Sequence, residues 1–462
     1  MKKATRIIPA LLISSLLLTL PASANSAKKG WNGTDATGTM ITDQNCPIVV
    51  EGELLTFDIS EFPEESYNSE YDFLAYSGSV TAEYTFYNPA DYTVTATLAF
   101  PFGKLPEYVH FARNDYADRY GVSVNGSPIQ ATVRHTMTHM YSGFDVEKEL
   151  PKLADEYIDN YLYKPDTPVY RQTYTVSGID EQLGWVTAAF VWRGGPKLIS
   201  HMGGWSLSNG YRQRTYAKNG DEITLWFIGS YPDSIPWRLY EEAACETPAE
   251  GAVQLAETEQ MTFEQFALQS YDPDSGISQI DWYNSIVTYL TNHQSIYDTI
   301  ENVDRNLDIT HSLLRWYEYE ITLQPGERIT NTVTAPIYPG INAYYTPSIY
   351  DYTYLLSPAK TWSAFGSLDI VVNTPFYITE SSIEGFEKTD SGYALSLNGL
   401  PDGDLNFTMS ESKNPVYAVN PLTIIACVIP LLPFLILLIA LVIGIVILVR
   451  HKRRQKRNSS NR

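Results

Sequence analysis

Apolar and polar positions alternate along most of this chain, and the alternation gives way only at the two ends and in one stretch between them. Val80-Thr81-Ala82-Glu83-Tyr84-Thr85-Phe86-Tyr87 and Tyr92-Thr93-Val94-Thr95-Ala96-Thr97-Leu98-Ala99-Phe100 place β-branched and aromatic residues against polar ones at period two, the pattern of half-buried strands. Asn88-Pro89-Ala90-Asp91 between them predicts a hairpin turn. Val122–Val124 and Ile129–Ala131 flank Asn125-Gly126, while Tyr211–Lys218 and Glu222–Ile228 flank Asn219-Gly220-Asp221. Asn-Gly supplies the positive φ angles of a type I′ turn, so both read as hairpins. Strand texture starts at Cys46–Ile59 and returns at Trp316–Leu323, Ile329–Ile337, Tyr352–Leu356 and Leu368–Val372. It closes on a last predicted hairpin around Asn398-Gly399 to Asp402-Gly403.

The intervening break is helical. From Met261 to about Asn302, Thr262 and Gln265 have capping-box spacing, and Met261 and Phe266 take the positions of a hydrophobic staple. A turn at Asp272–Gly276 leads to a second helix with Ile286, Leu290, Tyr297 and Ile300 near one face. Asp145–Tyr163 leans helical, interrupted by Pro151.

Both ends are membrane signals. Lys2, Lys3 and Arg6 precede an apolar run to Leu20, and Ala22-Ser23-Ala24 offers the small-residue spacing of a signal-peptide site, with cleavage expected between Ala24 and Asn25. Leu422–Val449 holds no charged or amide side chain over 28 residues. A helix of that length rises about 42 Å, enough to cross a hydrocarbon core of about 30 Å. The basic block from Arg450 follows at once and is expected to stay in the cytoplasm. The predicted order is signal peptide 1–24, loose leader 25–45, a first β module 46–250, a helical insertion 251–305, a second β-sandwich 306–415, a transmembrane helix 422–449 and a cytoplasmic tail 450–462. The expected fold is mainly β: two sandwich-like modules with a helical insertion and one C-terminal span.

Charge narrows the partners. The whole chain carries 32 basic and 53 acidic residues, and the exported part keeps 22 of the former and all of the latter, a net of −31. Such a surface repels nucleic acid over about a Debye length of 8 Å. Cys46 and Cys245 fall in the exported part, where a disulfide persists. They form either a bridge, closing a loop of about 200 residues with roughly 5 kcal/mol in the chain-entropy model, or two buried thiols.

Glu83–Gly103, Trp316–Ile337 and Tyr350–Pro375 resemble an uncharacterised family of secreted or membrane-anchored bacterial β-rich proteins. The first stretch is also similar to the strand–Asn–strand–Phe-Pro pattern of vault/inter-α-trypsin-type domains. The resemblance implies an extracellular β fold in a bacterium and carries over no active-site residue.

Other patterns fall short of chemistry. Ser357-Pro358-Ala359-Lys360 fits S-x-x-K, but no Lys-Thr-Gly follows. His135 and His139 have a spacing that serves metal only on a helix, and Thr132-Val133-Arg134 leads into them as strand. Asp272–Gly276 begins like a calcium loop but lacks glycine and glutamate at the EF-hand places. Asn420-Pro421-Leu422-Thr423 is similar to a sortase signal, yet the span after it suits permanent anchoring. No catalytic, cofactor or metal residue is therefore assigned. The 34 tyrosines, with Tyr344, Tyr345, Tyr350, Tyr352 and Tyr354 clustered, suit either a glycan- or protein-binding face or cross-strand packing. The sequence as a whole reads as a membrane-anchored surface protein with a binding ectodomain. An extracellular hydrolase and a subunit of a membrane complex are the alternatives.

Overall fold

The computed structural model describes residues 30–31, 36–37, 39–41, 46–62, 78–103, 121–137, 145–292 and 313–417. The signal and leader (apart from a few short leader segments), the predicted span and the basic tail lie outside these residues. Among the described residues, no helix is long and apolar enough to cross a membrane. The fold is mainly β, as the alternation predicts.

The described residues fall into two compact units. In the smaller one, Gly30–Trp31 pairs antiparallel with Ile341-Asn342, and Tyr345–Thr346 with Val416–Tyr417.

The larger unit is built on an eight-stranded sheet. Its centre runs Phe365–Asn373, Val49–Asp58, Ser79–Tyr87, Arg328–Pro336, with the first pair parallel and the others antiparallel. Across the core lies a four-stranded sheet ordered Met40–Ile41, Val94–Gly103, Leu313–Leu323, Thr132–Met137. Strands from before residue 138 and after residue 312 thus pair with one another in both sheets. Residues 46–137 of the expected first module and strands of the expected second module, 306–415, contribute side by side to these sheets.

The turns between these sheets are arches. Ser79–Tyr87 lies in the first sheet and Val94–Gly103 in the second, so Asn88–Asp91 crosses the core edge instead of closing a hairpin. Asn88 is fully buried and explains the crossing. Its Nδ2 donates to the carbonyls of Tyr92, Leu323 and Gln324 at 2.9, 3.1 and 3.1 Å, and its Oδ1 accepts from the Ala90 amide at 2.9 Å. One side chain therefore ties this arch to the Gln324–Glu327 arch beside it. The Asn398–Gly403 turn also changes sheets. Of the turns predicted as hairpins, Asn125-Gly126 closes one, with both φ angles positive, at 52° and 73°.

Between Thr132–Met137 and Leu313–Leu323 the chain inserts a second sandwich and a helical layer. One of its sheets runs Lys197–Ser200, Glu222–Ile228, Pro168–Ser177, Ala252–Thr262, and the other Gly203–Leu207, Gly210–Ala217, Val186–Trp192, Arg238–Tyr240. Val176, Leu225 and Phe227 from the first meet Ala188, Phe190 and Trp192 from the second. The Asn219-Gly220 turn joins a strand of one sheet to a strand of the other, which corrects the expected hairpin. Asn219 Oδ1 accepts from the Ile179 amide at 2.8 Å and Nδ2 donates to the Ile179 carbonyl at 2.8 Å, holding the turn as a bridge between sheets.

The other face of the first sheet carries Val169, Trp226, Ile228 and Met261, covered by helices Phe263–Leu268 and Gln279–Asn292. The predicted capping box at Thr262 and Gln265 is present, and Ile286 and Leu290 are buried. Tyr297 and Ile300 lie outside the described residues. Of Asp145–Tyr163, only Val146–Glu149 and a following single 3-10 turn, Leu150–Lys152, are helical.

Candidate binding face of the inserted sandwich

Pairing in the outer sheet fixes which side chains share its solvent face. Arg212, Arg214 and Tyr216 alternate along Gly210–Ala217, opposite to Gln213 and Ala217, which point into the sandwich core. Trp205 lies directly across from Arg212, and Thr187 across from Tyr216. Trp185, two residues before Thr187, joins the same side. A Cβ on Gly204 would fall 1.9 Å from the Arg212 carbonyl oxygen, so glycine alone lets the Gly203–Leu207 strand approach this closely.

The result is a strip with an aromatic group at each end and two guanidiniums between. Arg214 Cζ sits 4.9 Å from the Trp205 ring centroid and Arg212 Cζ 5.4 Å from it, both within cation–π range. Arg212 also lies 5.9 Å from the Tyr240 ring. At the other end Trp185, 41 % exposed, and Tyr216, 61 % exposed, meet edge to face with centroids 4.8 Å apart. Among the described residues, neither Arg212 nor Arg214 has a carboxylate ion-pair partner. This is notable on a chain with 53 acidic residues.

The loop after Arg238–Tyr240 borders the strip. Arg214 Nη1 donates to the Ala243 carbonyl. Glu242 turns its carboxylate back to the amides of Glu246 and Thr247, at 2.6 and 2.9 Å, and these bonds hold its pKa below the usual carboxylate range. Cys245, with φ at 58°, packs on Ala189 and Tyr240. Burial raises its pKa against the pull of Arg212 and Arg214, so the thiol stays neutral. Cys46 and Cys245 are both buried thiols, and no bridge joins them. One precedes the Val49–Asp58 strand of the scaffold, the other lies in a loop of the inserted sandwich.

The remaining sequence candidates are structural. His135 is buried on a strand, and burial, then Arg315 and Arg134, lower its pKa to about 3. His139 lies outside the described residues, and no group of metal-ligating side chains occurs among them. Ser357 and Lys360 share a 3-10 turn in which the Ser357 amide binds Asp404 and Lys360 Nζ donates to the Asp402 carbonyl. Asp272 caps its own turn through the Asp274 amide. Tyr350, Tyr352 and Tyr354 are core residues, while Tyr344 stacks on Tyr417. Ala24, Asn25 and Asn420 lie outside the described residues.

Two buried acidic centres complete the inventory. Arg134 donates through Nε and Nη2 to Asp281 at 3.1–3.2 Å and through Nη1 to Glu318 at 3.0 Å. Burial works against the Arg134 charge, but Asp281 and then Glu318 outweigh it and raise its pKa. The network fastens the second helix to the scaffold. In the scaffold core, Glu53, Tyr84 and Asn331 form a transverse row on three neighbouring strands. Tyr354 donates to Glu53 Oε1 at 3.2 Å, and Tyr319 faces Asn331 at 2.9 Å.

No family model matches the chain, and no curated protein does. Among solved structures, it is similar to a crystal structure from Legionella pneumophila described as a "putative nutrient binding protein", at 11% identity over 83% of this chain and 72% of that one. With a TM-score of 0.35, that likeness carries no argument.

Proposed function

We propose that the chain is a bacterial surface protein held by a single C-terminal span, whose β-rich ectodomain binds an extracellular glycan or protein through the Trp185–Trp205 strip. The observation that carries this reading is the pair of guanidiniums stacked on Trp205 without a carboxylate partner, beside two exposed rings. Tryptophan, tyrosine and arginine are the side chains that dominate binding hot spots. The apolar 422–449 run and the basic tail support the anchored topology.

The test is binding of the purified full-length protein to glycan and peptide arrays, compared with Trp185→Ala/Tyr216→Ala. Both rings are exposed, so their removal leaves the core packing intact. A defined ligand retained by the wild type and lost by the variant is the expected outcome. Equal retention by both proteins overturns the assignment to this face.

A further inference from the structure

We propose that the ligand of this strip is an acidic polypeptide segment whose carboxylates are taken by Arg212 and Arg214. The inference rests on the binding role given above to the same face.

The geometry selects among ligands. Sugar rings stack on an open aromatic face, and the Trp205 ring is taken by two guanidiniums, at 4.9 and 5.4 Å from its centroid. Trp185 and Tyr216 stand at 88° to each other, forming a corner and not a flat platform. Each guanidinium has five N–H donors in a planar fork that matches a carboxylate. Stacking on Trp205 holds both forks against one ring; Arg214 Nη1 is held by the Ala243 carbonyl and Arg212 also bonds the Cys245 thiol, and the remaining N–H groups are left to a partner. Arg212 and Arg214 alternate on one strand, so they lie about 7 Å apart along it. Side chains of an extended peptide that share a face recur at the same interval. Two glutamates at positions i and i+2 of a strand-like segment would meet the two arginines in register. An apolar or aromatic residue further along would meet the Trp185–Tyr216 corner. Elsewhere the acidic surface repels such a segment, so this strip is the place where it docks.

The experiment uses the full-length protein in detergent with two labelled probes, a Glu-Thr-Glu-Thr-Phe peptide, whose two glutamates and phenylalanine share one face, and an oligogalacturonate of matching charge. Binding of the peptide is expected, weakened about ten-fold or more in Arg212→Gln and in Arg214→Gln, the effect of losing one charge-assisted contact. Arg171→Gln, on the other sheet and paired with Glu259, is expected to bind as the wild type does. Circular dichroism checks that each variant is folded. Trp185→Ala, at the exposed end, gives a second readout that does not depend on the arginines. Binding of oligogalacturonate without the peptide overturns the polypeptide assignment and leaves the binding role standing. Binding of neither probe overturns the present inference. Peptide binding unchanged in all three strip variants overturns both.

Discussion

Asp281 and Glu53 are each 2 % exposed, yet they are kept inside the same protein in opposite ways. Asp281 occupies the first turn of the Gln279–Asn292 helix, where the N-terminal end favours a carboxylate. It accepts from Arg134 and from the His135 amide at 2.9 Å, so donors reach both its oxygens. Glu53 meets only tyrosine hydroxyls, and its Oε2 has no donor among the described residues. Burial therefore pushes Glu53 up to about 7 against the pull of Tyr84 and Tyr354. Depth is the same in the two cases. The fixed donors decide whether a buried acid acts as an ionic fastener or sits half protonated at neutral pH.

The comparison breaks most sharply at Arg134. Arg134→Met leaves Asp281 buried without its cation and is expected to cost about 3–5 kcal/mol. Arg134→Met/Asp281→Leu replaces the pair by apolar groups and is expected to recover most of that loss. Urea midpoints of the two variants decide. If the double variant is as unstable as the single one, the network matters through packing and not through charge.

Glu53 supplies the next effect. Its folded pKa of about 7 lies above the 4.5 of the free group. Between these values the folded chain binds more protons than the unfolded chain, so stability falls as pH rises from 4.5 to 7, and the penalty is complete above 7. The shift corresponds to about 3 kcal/mol. Glu53→Gln keeps an acceptor for Tyr354 and removes the titration. The stability of the variant relative to the wild type is expected to rise by about that amount between pH 4.5 and pH 8. Parallel stability curves would show that Glu53 titrates normally.

These cases also mark what is legible in the chain. Alternation predicts the strands, and Thr262 and Gln265 the cap. Glu53 is hidden by a bulge: the register shifts between Val50 and Gly52, so Glu53 and Leu55 point inward while Leu54 is left 40 % exposed. Without that extra residue, Leu54 would face the core and Glu53 the solvent. Both Asn-Gly asparagines bond a distant residue, Asn219 to Ile179 and Asn125 to the Thr330 amide at 2.9 Å, but Thr330 lies on the neighbouring strand of the same sheet, so only the Asn219 turn is drawn across to another sheet. Tyr350, Tyr352 and Tyr354 visibly share a face, but alternation does not say which face is buried. Arg212-Gln213-Arg214-Thr215-Tyr216 shows period two just as plainly. Trp205 and Trp185 come beside it only through strand pairing, so the strip has no linear signature.

The smallest expected effect separates the two supports of Asp281. The Asp281 amide donates to Ser278 Oγ at 3.0 Å, which makes Ser278 the N-cap of that helix. Ser278→Ala removes the cap and is expected to cost about 1 kcal/mol, the usual value for an N-cap serine. The Arg134 contacts remain, so the cation still faces Asp281. If cap and cation act independently, Ser278→Ala costs the same in the wild type as in Arg134→Met/Asp281→Leu. A markedly larger cost in the wild type would mean that the cap also positions the carboxylate for Arg134. The pair would then depend on the first turn of the helix being held in place. Glu53 lies on a strand of the scaffold sheet and bonds neither Ser278 nor Asp281, and its pH response is expected to be unchanged by this substitution in either background.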